Sequence, residues 1–385
     1  MKIILATPIY PPEIGGPATY VKELSERLAN KHKITIIAYT DVREPFNGTR
    51  LIAVSKRSPL FIRLVKFFIE VLKTAKDNDL IYVQNAMAAG LPVALVNLLT
   101  GKPFILKFVG DEAWERASQL RRTSKKLEEF LREPEGGFRI KLMMLIQKFV
   151  LKRASIVTTP SEYLGEEIIK AYKIKKNKVK VNYNAAEESQ VLPFEPHLTK
   201  HQVLTTARLV KWKGVDGIIK SISLVKEKFP DASLIIAGDG PEMDRLRDLA
   251  KGLGIEKNVK FLGNVSRAET WQLRKNSELY VLNSTYEGLP HTVLTSFAAE
   301  IPTIATNIPG TNEAIYHLKT GILVRPENEK ELAEAIELLF KDKDLAKQLV
   351  EGGLKLLKEK FSWKSHLENL ELIFKSVLYK PGNKF

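Results

Sequence analysis

A chain of 385 residues, with 44% hydrophobic and 8% aromatic residues, has room for two ordinary globular domains and has neither a disordered nor a collagen-like composition. It contains no cysteine, which excludes disulfides, thiolate metal sites and cysteine nucleophiles. The formal net charge of +15 is unevenly placed: residues 1–190 hold 32 Lys and Arg against 20 Asp and Glu, and the remainder 28 against 25.

Lys2 to Thr7 reads as a buried first strand, followed by a Pro/Gly loop that includes Gly15 and Gly16 and by an amphipathic helix over Ala18–Asn30. Strand and helix patterns then alternate: strand 34–39, helix 60–74, strand 80–83, helix 91–99, strand 104–109. Residues 115–153 are mostly helical, with Gly136 and Gly137 as the break. Strand 156–159, helix 162–171 and strand 179–183 complete the first half. The stretch from Ala185 to His201 contains Pro193 and Pro196 without apolar periodicity and is the linker candidate. A second alternating unit runs from Val203 to about Phe361, and Trp363–Tyr379 is an amphipathic helix. Alternation of this kind predicts α/β architecture, with parallel sheets covered by helices on both faces.

Ile3 to Ala6 is too short for the apolar core of a secretory signal, and the apolar patch Leu60–Leu72 is interrupted by Arg63, Lys66 and Glu70. A cytoplasmic location is therefore expected. The basic first half favours an anionic partner, or it is simply a solvated Lys-rich surface. Phe61, Leu64, Val65, Phe68 and Leu72 lie on one helix face; they read as core, or as a surface that rests on a membrane together with Arg121, Arg122, Lys125 and Lys126. Nucleic-acid binding is the weaker reading, because the basic residues are not interleaved with exposed aromatics.

The chemistry concentrates in the second half. An apolar strand, Leu279–Leu282, ends in small polar residues, then Glu287, Gly288, Leu289 and Pro290, then a helix. A helix N-terminus offers N–H groups and a positive dipole end to an anion such as phosphate. Upstream, Arg208 and Lys213 place two cations in a short loop that ends in Gly214, after a predicted strand. Two cations and a helix dipole suit a diphosphate. The five histidines outside this region, His32, His197, His201, His317 and His366, lack metal-ligand spacing.

Ala207-Arg208-Leu209 with Lys213-Gly214, Ala237-Gly238-Asp239-Gly240-Pro241, Phe261-Leu262-Gly263, Glu287-Gly288-Leu289-Pro290, Pro309-Gly310 with Glu313, and Gly321 with Val324 occur in one order. That set resembles the nucleotide-sugar-dependent retaining glycosyltransferases of glycosyltransferase family 4. The resemblance implies the GT-B architecture: two Rossmann-like domains, parallel sheets facing a central cleft, with residues 1–186 binding the acceptor, 200–362 binding the donor, 187–199 linking them, and a final helix 363–380 returning to the first domain.

It further implies that Arg208 and Lys213 neutralise the donor diphosphate and that Glu287 contacts the donor sugar. Gly288 and Leu289 would make the turn, and N–H groups near His291 and Thr292 would cap the phosphate. Gly15 and Gly16 would approach the donor phosphate closely, Gly238 would lie near the nucleotide, and Leu262 would sit where the base is read. The second acid of the family's paired-glutamate motif falls at Thr295, whose hydroxyl can make one hydrogen bond but no bidentate grip on a ribose diol. The cleft His common in the family is absent, and Val109 or Gly110 takes its position. Asp111 is the nearest side chain able to orient or deprotonate an acceptor hydroxyl, or else it caps a helix. The motifs that would hold the donor contain no Asp-x-Asp to bind a divalent cation, so no metal or other cofactor is expected. The resemblance leads to a retaining transferase acting on an acceptor hydroxyl, such as that of a lipid-linked or other glycan, with membrane contact peripheral at the inner face. The alternative is a non-catalytic sugar-nucleotide-binding protein of the same fold.

Overall fold

Parallel strands buried on both faces need unbroken apolar runs, and this chain supplies them. In Lys2–Thr7 (β1) and Lys33–Tyr39 (β2) every residue after the leading lysine is buried. The computed structural model describes residues 1–13, 15–186 and 198–379. Most of the predicted linker, 187–197, lies outside the described residues, as do Ile14 and the last residue of the predicted 363–380 helix.

The chain divides into two compact units, Met1–Asn182 with Glu368–Phe385, and Tyr183–Leu367. In the first unit, α1 (Gly16–Ala29) joins β1 to β2. There follow β3 (Thr49–Val54), α2 (Leu60–Ala75), β4 (Leu80–Gln84), α3 (Gly90–Thr100), β5 (Phe104–Lys107), α4 (Glu112–Gln119), α5 (Leu127–Arg132), α6 (Phe138–Arg153), β6 (Ile156–Thr159), α7 (Glu162–Tyr172) and β7 (Val179–Val181). All strands pair in parallel in the order β3-β2-β1-β4-β5-β6-β7, with Ile3 opposite both Ile34 and Leu80. The chain moves one way across the sheet from β1 to β3 and the other way from β4 to β7, so the order reverses between β1 and β4. Right-handed crossovers then put α1 on one face and α2, α3 and α6 on the other.

The second unit holds β8 (Thr199–Thr206), α8 (Val215–Val225), β9 (Ser233–Ala237), α9 (Met243–Gly252), β10 (Val259–Gly263), α10 (Arg267–Asn276), β11 (Ser277–Leu282), α11 (His291–Ala298), β12 (Thr303–Thr306), α12 (Pro309–Asn312), β13 (Ile322–Val324), α13 (Glu329–Lys341) and α14 (Lys343–Lys360). Its sheet runs β10-β9-β8-β11-β12-β13, all parallel, and reverses between β8 and β11. One core, with Ile218, Ile222, Leu234, Ile236 and Ile336, lies under α8, α9 and α13. A second, with Leu204, Tyr280, Val293, Phe297 and Phe361, lies on the opposite face. The last helix, α15 (Trp363–Leu378), begins in the second unit and ends in the first. There Phe374 meets the ring of Tyr82 edge-on at 5.7 Å, and Asn369 Nδ2 donates to the Val181 carbonyl at 2.9 Å.

Local signals explain the helix starts. Ser266 and Glu269 form a reciprocal capping box at α10, and Ser161, Asn328 and Asp342 cap α7, α13 and α14. Gly136 and Gly137 both take positive φ before α6, at the break the sequence predicts. Strand β3 has no counterpart in the sequence reading: it is a sheet-edge strand, largely half-exposed, and carries Arg50.

Candidate active site

Ligands of open parallel sheets bind beyond the carboxyl ends of the strands, where the strand order reverses. In the second unit that place is the pair of loops after β8 and β11. The first runs from Ala207 through a 3-10 turn at Lys211–Lys213 to Gly214; the second runs from Asn283 to Pro290. They are stitched together. Thr285 N donates to the Trp212 carbonyl at 2.8 Å, and Asn283 Nδ2 donates to the Gly214 carbonyl at 2.9 Å. Gly214 has φ 60°, and a Cβ there would strike the Asn283 carbonyl oxygen, so the stitch requires glycine on both counts.

This scaffold brings two predicted residues into contact. Lys213 Nζ donates to Glu287 Oε1 at 2.6 Å, and the Ser284 hydroxyl donates to the same oxygen at 2.7 Å. Both charged side chains are partly buried. Arg208 is exposed on the β8 loop. Gly310, at the start of α12, packs so tightly on the Glu287 and Gly288 carbonyls that a side chain has no room there, which fixes the turn carrying Glu287 from behind. Gly288 and Leu289 are buried in that turn. Pro290 is the N-cap of α11 rather than a residue of its first turn, so the helix opens with the N–H groups of His291 and Thr292. The His291 ring is engaged at its base, with Nε2 3.1 Å from the Ala185 carbonyl oxygen.

Gly238 and Leu262 stand one and two strands further out, at the ends of β9 and β10. Gly238 has φ 143°, and its Cα lies against the Ala207 carbonyl, where no side chain fits. Its N–H donates to Gly263 O at 2.8 Å, and Leu209 N donates to Asp239 O at 2.9 Å, so three successive strand ends share one backbone network. Asp239 shapes the turn by accepting from Gly240 N at 2.7 Å. Thr295 Oγ1 donates to the Thr292 carbonyl at 2.9 Å; with its proton committed, the hydroxyl can only accept from a ligand. Glu300 sits away from this ring, paired with Lys275 at 3.3 Å.

In the first unit, Gly15 and Gly16 open α1 after β1, at that sheet's own reversal point. Asp111 does not present its carboxylate to solvent. It caps α4 by accepting from Trp114 N at 2.9 Å, and its other oxygen accepts from Gln147 Nε2 at 3.1 Å and from the Tyr172 hydroxyl. Fully buried, it has no open face for an acceptor hydroxyl, so of the two roles read from the sequence the structure shows the cap. Desolvation raises its pKa above the usual carboxylate range, against those three donors.

The neighbouring Glu112 has a different task, one that the sequence reading missed. It accepts from Asn85 Nδ2 at 2.6 Å, Ala86 N at 3.1 Å and Met87 N at 3.2 Å. It thereby holds the loop after β4 at the reversal point, with Asn85 at φ 80°. Burial pushes its pKa up to about 7 despite those donors. Lys107, at the end of β5, is buried with its ammonium 4.0 Å from the Tyr20 ring centre, and desolvation pulls it down to about 7. The sequence signal for both is faint: for Lys107 a charged residue ending an apolar strand, for Glu112 an acid in the first turn of a helix.

Two family descriptions match consecutive parts of the chain, Glycosyltransferase Family 4 over residues 14–190 and Glycosyl transferases group 1 over residues 191–356. An uncharacterized glycosyltransferase of Methanocaldococcus jannaschii is 26% identical over 99% of this chain and 100% of its own length. Among solved structures, sucrose-phosphate synthase from Thermosynechococcus elongatus superposes with TM-score 0.80 at 18% identity, covering 98% of this chain and 99% of that one. Anabaena HepE in complex with UDP-glucose superposes with TM-score 0.76 at 19% identity, over 98% and 100%. With the family descriptions accounting for both halves and the two parallel sheets matching GT-B structures from end to end, the chain belongs to the family 4 type of glycosyltransferases.

Proposed function

We propose that the loops after β8 and β11 bind a nucleotide-sugar and that the chain transfers its sugar, with retention of anomeric configuration, to an acceptor hydroxyl. The observation that carries this reading is the Lys213–Glu287 pair at the reversal point of the second sheet. It sets a cation and a carboxylate on one rigid scaffold beside the opening of α11. Arg208, Lys213 and the first-turn N–H groups at His291 and Thr292 would take the diphosphate, and Glu287 and the Gly288–Leu289 turn would take the sugar. The HepE complex with UDP-glucose supports a donor of this class.

In the proposed step the bond from the anomeric carbon to the diphosphate oxygen breaks, and the bond from the acceptor oxygen forms on the same face. The acceptor proton passes to the departing phosphate oxygen, and a nucleoside diphosphate leaves. Negative charge grows on that phosphate as the bond breaks, so cations fixed beforehand stabilise the transition state more than the ground state. Arg208 and Lys213 would serve here without a metal or other cofactor. Gly238, Leu262 and the Thr295 hydroxyl would frame the nucleoside. The Gly15–Gly16 backbone would approach the donor phosphate and the acceptor, and the acceptor itself would be a lipid-linked or other glycan met on the cytoplasmic side. Asp111 acts here by positioning α4.

The test is a thermal-shift and hydrolysis screen against UDP-, GDP-, ADP- and dTDP-sugars, with Arg208→Ala and Glu287→Ala beside the wild type. A selective shift with slow nucleotide release, lost in both variants, is expected, and the anomer of the product read by NMR should match the donor's. Binding without turnover under any donor and acceptor would favour the sugar-nucleotide-binding alternative, to which the Thr295 departure points.

A further inference from the structure

Residues 81–101 contain no Lys, Arg, Asp or Glu. The helix in that stretch, α3, buries Pro92, Val93, Ala94 and Val96 against its own unit, so the core is already served. Yet its opposite face is also apolar: Leu98 is 55% and Leu99 67% exposed. A solvent-facing helix side without a charge calls for an explanation. On either side of α3 pack α2 and α6, the latter tied to it by Arg153, whose guanidinium donates to Asn97 Oδ1 at 2.6 Å. They continue the same surface, with Phe61 and Ile69 exposed on α2 and Phe138 and Leu145 on α6. The three helices carry eight Lys and Arg and a single acid, Glu70.

Exposed Leu and Phe among a strong excess of basic residues, of which only Lys73 meets the one acid, Glu70, at 3.2 Å, fit a bilayer surface better than a protein partner. Protein interfaces are depleted of charge at their centre, whereas lipid headgroups reward it. Lysine stems can lie along the apolar face and lift their ammonium groups to the phosphates. Among the described residues no helix is long and apolar enough to cross a membrane, so contact here would be in the plane of the surface.

We propose that the α2–α3–α6 face of the first unit docks on an anionic lipid bilayer, inserting the Leu98, Leu99, Phe61 and Phe138 side chains at headgroup depth. This gives the membrane reading of the sequence a definite place. It keeps the exposed side of α2, whose Phe67 and Val71 are core, and adds α3 and α6. It sets aside the basic run, where Lys125 is occupied by Glu133 at 3.3 Å and the Arg122 guanidinium donates to the Gly136 carbonyl at 3.1 Å.

The test is co-sedimentation of the full chain with vesicles of phosphatidylcholine alone and of phosphatidylcholine mixed with phosphatidylglycerol. Binding to the mixed vesicles is expected, weakened by salt and reduced at least about tenfold in Leu98→Glu/Leu99→Glu. The variant's melting temperature and its nucleotide-sugar hydrolysis should stay at wild-type values. Phe61→Glu, on a different helix, should weaken binding in the same direction and guards against a folding defect in the double variant. Absence of wild-type binding to mixed vesicles, or undiminished binding by folded variants, would overturn the proposal. So would a wild-type dimer that Leu98→Glu/Leu99→Glu converts to a monomer without any vesicle binding, which would assign the face to a second copy of the chain. Failure of the donor assignment would leave the vesicle result unchanged.

Discussion

Lys213 and Glu287 lie 74 residues apart in the chain and meet at 2.6 Å, each on a loop that the other loop's backbone holds in place. Without a ligand, the ammonium that would face a diphosphate is partly neutralised by the carboxylate that would face a sugar. A bound donor would offer each a new partner. Lys213→Ala and Glu287→Ala should each lower kcat by about 10²- to 10³-fold, the scale for removing one preorganised charge from a transition state. Because each leaves the other charge partly buried and unpaired, each should also cost roughly 1–3 kcal/mol of stability. Initial rates and urea unfolding of the same preparations check both effects.

Thr295 stands where the family's second acid would fall, and its hydroxyl proton is committed to the Thr292 carbonyl. Thr295→Glu should supply an acceptor able to grip two ribose hydroxyls. The donor KM is expected to fall by about tenfold, the worth of one or two added charge-assisted hydrogen bonds, with kcat little changed. Titration of the donor by calorimetry reads this directly, and an unchanged affinity would mean that the ribose lies elsewhere.

Asp111→Asn keeps the cap acceptor but turns an amide N–H₂ towards Gln147 Nε2 and the Tyr172 hydroxyl, placing donor against donor. A loss of about 1–3 kcal/mol in chemical denaturation is expected, with kcat within a factor of about ten of wild type. A loss of kcat without loss of stability would return Asp111 to the chemistry.

Glu112 and Lys107 predict opposite arms of a pH–stability curve. Glu112 is raised in the folded state from 4.5 to about 7, so between those values the folded chain holds a proton that the unfolded chain has lost, and stability falls as pH rises. Lys107 is lowered from 10.5 to about 7, so above 7 the unfolded chain holds the extra proton, and stability rises with pH. Together they place a shallow minimum near neutrality. Glu112→Gln should flatten the acid arm and Lys107→Met the alkaline arm, as read by denaturant midpoints from pH 5 to 10.

Strong periodic signals made the order of elements readable from residues alone. Strands such as Ile3–Ala6 and Leu279–Leu282 are apolar throughout because both sheet faces are covered, and that leaves a plain mark in the sequence. Strand β3 leaves none, because an edge strand with a half-wet face obeys neither pattern. Within the site, Lys213 and Glu287 were legible as charges near turns, but their contact depends on the Gly214–Asn283 stitch, which joins distant segments. Asp111 shows the reverse failure. An acid just before a helix suits a cap and a catalytic role equally, and only the buried Gln147 and Tyr172 decide between them. Glu112 leaves no such mark, because its partners are mainly backbone N–H groups, which no side-chain motif announces.

Helix α15 changes allegiance within itself, its first residues counted with the second unit and Glu368 onwards with the first. The first unit is thus assembled from two separated lengths of chain, and Leu370 and Phe374 belong to its interior. A fragment cut near residue 182 would leave the Tyr82 ring and the Val181 carbonyl without their covering helix. Recombining donor specificities between relatives therefore calls for two crossovers, one after Asn182 and one before Glu368, so that the inserted middle can change while the first unit keeps its own tail. The segment from Glu368 onwards belongs with the front of the protein, although the whole second unit is made before it.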